Sequence, residues 1–534
     1  MFQMSSFKNT FWILTWAYGV ITLMLLNFVV ILKKCLFIKS KSEKQLDNER
    51  FCPAQQNTAH AQPSEKQHAT IPRVKGLPIF GTFFEFLSAG AAPQLHNYID
   101  KRHRQYGCIF HERLGGTQDA IFVSSANLMR AVFLHEGQHP EHPLPEAWIL
   151  YNKRRSSTQK LLTFVLIDFK REGEEWLHNR RILNRILLNG NFSWIDLNVR
   201  ICTEKLINKL RTECESRASL DYEVKQLEDE LYRWSINVII SVMFGNSYLY
   251  DPTLQMALEN FSKVVHKIFE NSSALMNFPP KLAKLLNLRL WSEFEENVTR
   301  VLQQGNDIID EFMKRSTSED DGLYAKLKEA EVPLLVIKRI FVDLVIAAGD
   351  TTAFSSVWAL YLLSKDPELS QRLFEECYAS DNYSSPLIHG FIKETLRLYP
   401  VAPFIGRYMP RDVLIGGYYI KKKSLVLLSL YTAGRDSNHF PDPLSVMPER
   451  WAFNESTGQL QGVSQAHGTL PFAIGNRSCI GRKIAISQMH HLIKEVVKTF
   501  RLNCLNSTPI ESVLRLVTVP NQPLKLLLSI RNHA

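Results

Sequence analysis

Residues Pro471 to Lys483 read PFAIGNRSCIGRK, with one cysteine between two glycines and two residues after an arginine. A buried structural cysteine has no use for such neighbours, and packing is the ordinary reading for the other thiols of this chain. The pattern Phe472-x-x-Gly475-x-Arg477-x-Cys479-x-Gly481 assigns each position a task around a metal-bound thiolate. Backbone N–H groups in a glycine-bearing turn that runs into a helix N-terminus support the negative sulfur. Phe472 screens it from water, Gly475 and Gly481 let the backbone approach a flat macrocycle, and Arg477 pairs with one of that macrocycle's carboxylates.

The remaining composition is that of a folded protein. The chain has 534 residues, 45% hydrophobic and 22% charged, long enough for a large core. Its net charge of +10 comes with no arginine-rich tract, so nucleic acid is not an expected partner. Eight cysteines lie far apart without a C-x-x-C pair, which argues against a disulfide framework or a zinc site and for a reducing compartment.

Three regions follow along the chain. Residues 1–42 contain FWILTWAYGVITLMLLNFVVIL from Phe11 to Leu32, an uncharged run long enough to cross a bilayer, with lysines mostly after it. It reads as a membrane or targeting segment, either an endoplasmic-reticulum anchor or an import presequence. Residues 43–70 are a polar linker, and IPRVKGLPIFGT opens a third region, 71–534. There the apolar spacing is mostly helical, around Trp176 and Trp234, with β-like pieces at DAIFVSS and SLVLLSLYT. The longest helix is expected to open with Pro333 in its first turn and close at Asp366-Pro367.

With its cysteine motif the chain resembles the cytochrome P450 family of haem-thiolate monooxygenases. The resemblance implies a mainly α fold with small β-sheets, haem between the long central helix and the cysteine-bearing loop, and Cys479 as the proximal iron ligand. AAGDTT, Ala347 to Thr352, is similar to the family's oxygen-activating segment, which makes Asp350 and Thr351 the proton-delivering pair. The plainer alternative is a mid-helix threonine bonded back to the previous turn and a solvated aspartate. Ala348 stands where the family usually has glycine. Glu394 and Arg397 in ETLR, with Arg450 in PERW, match a buried network under the cysteine loop; Trp451 stands where phenylalanine is usual. Trp176 and Arg180, spaced W-x-x-x-R, match the family's propionate clamp, and Arg407 in PVAPFIGRY a further contact.

Lys393, Arg482 and Lys483 resemble the mitochondrial clan's docking residues for an acidic ferredoxin, with His389 where a second lysine is expected. Segments such as RVKGLPIFGT, KRIFVDLVIAAGDTTAFSS and LLSLYTAGRD look like those of insect ecdysteroid 2-hydroxylases. That likeness, from Arg73 onward, implies a membrane-associated mitochondrial monomer that hydroxylates carbon 2 of 2-deoxyecdysone to give ecdysone. O2 is the oxidant, and electrons come from NADPH through ferredoxin reductase and ferredoxin. The alternatives are a reticulum enzyme served by a microsomal NADPH reductase and acting on another sterol or a xenobiotic, a haem-thiolate isomerase, and a non-enzymatic haem sensor.

Overall fold

The computed structural model describes residues 69–531, apart from 79, 116–118, 154–168, 218, 247–250, 316–321, 380–384 and 454–459. The N-terminal segment 1–42 and nearly all of the linker lie outside the described residues.

The helices that frame the site are, in chain order, α1 (Phe169–Asn184), α2 (Ser193–Glu215), α3 (Leu227–Phe244), α4 (Pro252–Asn277), α5 (Arg289–Arg315), α6 (Leu334–Lys365), α7 (Pro386–Leu398) and α8 (Arg482–Thr499). Local chemistry starts several of them. Asp251 caps α4 by accepting from the N–H groups of Thr253 and Leu254, with Pro252 in the first turn. Ser385 does the same for α7 through Ile388 N–H, ahead of Pro386. The 32-residue α6 is the long helix expected from the sequence, about 48 Å at 1.5 Å per residue. Pro333 is its N-cap residue rather than part of its first turn, and it ends at Asp366 because Pro367 disfavours a helical residue before it.

Buried residues occupy most sides of α6, so it runs through the core rather than over it. Aromatic contacts hold it there. Phe341 lies 5.3 Å from Phe244 of α3 and 6.3 Å from Phe261 of α4, and Phe244 stacks on Phe312 of α5 at 4.2 Å. At its far end Trp358 stacks on Tyr399 at 4.0 Å, which joins it to the segment after α7.

The β-like pieces form one sheet. Strands β1 (Ile109–Glu112), β2 (Ala120–Val123), β3 (Phe404–Tyr408) and β4 (Leu425–Ser429) are ordered β1-β2-β4-β3. The β2–β4 pair is parallel, Ala120 opposite Leu425 and Val123 opposite Leu428, and β3 is antiparallel to β4. The sheet delivers Arg407 from β3. SLVLLSLYT is strand only as far as Ser429 and then turns into a short helix, Leu430–Ala433. Cys108 qualifies the cysteine reading: it is disulfide-bonded.

Glu394 is fully buried between Arg397 and Arg450. Its Oε1 accepts from Arg397 Nε and Trp451 Nε1, both at 2.8 Å; its Oε2 accepts from Arg397 Nη2 at 2.7 Å, Met447 N at 3.0 Å and Arg450 Nε at 3.1 Å. Trp451 therefore supplies a donor that phenylalanine lacks. Because the alternative is two buried guanidinium groups without their carboxylate, Glu394→Ala is expected to destabilise the protein by about 3–5 kcal/mol. Trp451→Phe is expected to cost about 1.5–3 kcal/mol, the value of a hydrogen bond to a charged group. Chemical denaturation of each variant measures both.

Candidate active site

The cysteine loop closes on itself before α8 begins. Cys479 N–H donates to Phe472 O at 2.8 Å, Ser478 N–H donates to Gly475 O at 3.1 Å, and Gly481 is the N-cap residue of α8. The Cys479 side chain is exposed at its own surface, yet protein encloses it at longer range, as expected for a group lining a cleft. That enclosure pushes the thiol up, while the Gly481 backbone N–H, Arg180 and Arg482 pull it down. Arg180 from α1 also donates to Ser478 O, so one cation serves both the loop backbone and the sulfur. Phe472 is half-buried and packs against the main core.

The guanidinium groups converge as the sequence predicts, but with companions it did not reveal. Arg477 lies over the Trp176 ring at 4.9 Å, and its Nη1 is 2.8 Å from His142 Nδ1. Burial, then Arg407 and Arg180, bring the Arg477 guanidinium down to about 9. Burial and Arg477 bring His142 to about 3, so its ring is neutral and accepts. Arg407 Nε donates to Glu136 Oε2 at 2.5 Å, and Glu136 Oε1 accepts from Asn476 N–H at 3.2 Å. Glu136 thus ties β3 to the cysteine loop. Gly475 makes room for it: a Cβ there would lie 2.0 Å from Glu136 Oε1, and the residue has φ +83°. The structural demand for glycine at 475 therefore comes from a carboxylate of the protein itself. At Gly481 a Cβ would meet only Cys479 Sγ, at 3.9 Å.

On α6, Thr351 Oγ1 donates to Ala347 O at 2.8 Å, the back-bond named as the plainer alternative. Ala348 O, at the departure from the family pattern, accepts from Ser235 Oγ of α3 at 3.0 Å. Asp350 is no solvated charge: it is 2% exposed, and its Oδ1 is 3.2 Å from His266 Nδ1 of α4. Burial raises its carboxyl above the ordinary range, and His266 offsets part of that rise.

A family model described as Cytochrome P450 matches residues 72–528. The chain is 53% identical over 480 residues to "Cytochrome P450 315a1, mitochondrial" of Drosophila melanogaster, covering 88% of this chain and 90% of the relative. The chain belongs to the cytochrome P450 family. More distant relatives of this cytochrome P450 include "Cytochrome P450 10" of Lymnaea stagnalis, 27% identical with 85% and 84% of the chains covered, and "Cholesterol side-chain cleavage enzyme, mitochondrial" of Oncorhynchus mykiss, 25% identical with 83% and 87% covered. As a cytochrome P450 it is a monooxygenase that binds haem through a cysteine thiolate.

The residues present fit that cofactor. Arg180 Nε and Arg407 Nη2 are buried donors with no hydrogen-bond acceptor among the described residues. Each costs about 1–3 kcal/mol in that condition, which the two carboxylates of haem would offset. The exposed thiol and these inward-facing donors sit on one loop and the elements around it. Lys393 and Arg482 are exposed, Lys393 Nζ lying 5.2 Å from the Trp451 ring centroid, while Lys483 is half-buried over Phe192. Glu136, His142 and His266 went unnoticed in the sequence because none falls in a recognised motif; a charged residue beside glycine in HEGQHP is the only cue to the first. Gly475→Ala is expected to push Glu136 off Asn476 and speed haem loss by about tenfold, equivalent to about 1.4 kcal/mol. Haem transfer to an acceptor apoprotein measures the rate.

Proposed function

We propose that this cytochrome P450 hydroxylates an ecdysteroid, converting 2-deoxyecdysone to ecdysone at carbon 2, with its catalytic unit spanning residues 71–534. The likeness of its segments to insect ecdysteroid 2-hydroxylases carries the substrate. Supporting it, a relative at 53% identity over most of both chains bears a mitochondrial name. On this reading the protein works in mitochondria, and electrons pass from NADPH through ferredoxin reductase and a ferredoxin that docks on Lys393, Arg482 and Lys483. Among the described residues no helix is long and apolar enough to cross a membrane, and the run 11–32 lies outside them.

The roles follow from chemistry. Cys479 would hold the haem iron through its thiolate, and the bound group would supply the oxygen activation that hydroxylates unactivated carbon. Arg180, Arg407, Arg477 and Trp176 would hold the propionate edge, with Glu136 fixing Arg407 and His142 accepting from Arg477. Phe472 shields the sulfur. Asp350 and Thr351 hold the protons that oxygen cleavage consumes: the Thr351 hydroxyl turns from Ala347 O when it donates elsewhere, and burial, which disfavours the charge, strengthens the hold of Asp350 on a proton it receives.

Two measurements test this. Titrating the ferric protein with 2-deoxyecdysone is expected to shift the haem absorption band, whereas Cys479→Ser should lose the thiolate-type band of the reduced carbonyl complex; a flat titration removes the substrate assignment, and a surviving band removes Cys479. Turnover should require a ferredoxin, and support by a microsomal reductase alone would overturn that partner. Thr351→Ala is expected to cut hydroxylation by roughly a hundredfold, the low end for a positioned proton donor, while reductant consumption continues as peroxide.

A further inference from the structure

Around Asp350, three elements, α3, α4 and α6, bring titratable groups together. His266 of α4 places Nδ1 3.2 Å from Asp350 Oδ1 and Nε2 3.8 Å from Glu270 Oε1. Exposure rises outward along this row, from 2% at Asp350 to 39% at His266 and 65% at Glu270. Tyr232 of α3 closes the inner side, its ring 5.4 Å from that of His266 and its hydroxyl buried without a hydrogen-bond partner among the described residues. Gly349 exists for this contact, since a Cβ there would lie 2.6 Å from Tyr232 Cε2 and 3.0 Å from its hydroxyl. Asp229 of α3 adds a negative charge nearby. The hydrogen bond to Asp350 raises His266, and burial followed by Asp350 raises Tyr232, so the phenol stays protonated.

We propose that His266 is a positioning residue that conducts solvent protons to Asp350, with Tyr232 sealing the inner wall so that the imidazole is the path. The inference rests on the reading of Asp350 as a proton-delivering group. The step is a proton transfer alone: one proton enters the ring from water at the exposed edge beside Glu270, and one leaves Nδ1 for Asp350 Oδ1. No electrons move. A ring turn or tautomer exchange restores the starting state.

The holoenzyme with ferredoxin, its reductase and 2-deoxyecdysone tests this through the peroxide formed per electron pair between pH 6 and 9, comparing wild type, His266→Gln, His266→Lys, Asp350→Asn and the His266→Gln/Asp350→Asn pair. His266→Gln is expected to raise peroxide about tenfold at neutral pH and to flatten its pH profile. His266→Lys keeps a cation beside Asp350 and so preserves the fold, yet should not restore the neutral-pH dependence. Asp350→Asn should be uncoupled throughout, with no further loss on adding His266→Gln.

A readout independent of turnover is stability against pH. His266 is raised in the folded state, so its contribution is complete below about 6.5 and fades as pH rises through its folded value; that dependence should vanish in His266→Gln. Wild-type coupling and pH profile in His266→Gln, beside an uncoupled Asp350→Asn, would leave His266 as a tie between α4 and α6 and overturn the inference. Full rescue by His266→Lys would overturn it too, because a cation alone would then suffice. An unchanged Asp350→Asn sinks the Asp350 reading itself and this inference with it.

Discussion

A carboxylate without solvent contact accepts five hydrogen bonds at Glu394, and it ties α7 to the segment from Met447 to Trp451. Its two guanidinium partners are committed further. Arg397 also donates to the carbonyls of Gly434, Pro443 and Ser445, and Arg450 to those of Pro441 and Gly462. Five carbonyls in the stretch between β4 and α8 are therefore satisfied by two side chains instead of by a sheet. Buried charge on this scale is tolerable because every member is paired, and such a network fixes one geometry where apolar packing would accept several.

The same logic is left incomplete beside the cysteine loop, which Arg180 and Glu136 both touch. Arg180, Arg407 and Arg477 converge with one carboxylate, Glu136, among them, and two of their buried donors have no acceptor among the described residues. A family that binds haem needs surplus positive charge there, since each haem brings two carboxylates. Glu136 holds one arginine in position while leaving its other donor available. The long helix answers a different need. It carries Asp350 into a dry environment and gives it one partly exposed companion, His266, which connects burial to solvent.

Much of this was legible in the order of residues. The cysteine motif was readable from its own residues, while the W-x-x-x-R pair, ETLR and PERW gained meaning only as matches to the family's pattern. The ends of α6 were legible too, because proline acts on its immediate neighbours. Other features misled. The apolar run SLVLLSLYT suits a strand throughout, yet its last part is a helix; and Gly475 invited a cofactor explanation although its close neighbour is Glu136, over three hundred positions earlier.

Local spacing by itself indicated a mostly helical chain and the reach of the central helix, because those depend on backbone propensity and on residues a turn or two apart; the side chains around the cysteine loop were legible through the likeness to a haem-binding family. Tertiary structure alone decided which partner each buried charge received: His266 for Asp350, Glu136 for Arg407, Ser235 for the carbonyl of Ala348. Such pairings join elements distant in the chain, and the energy that selects them comes from removing both groups from water at once. No period in a sequence records that.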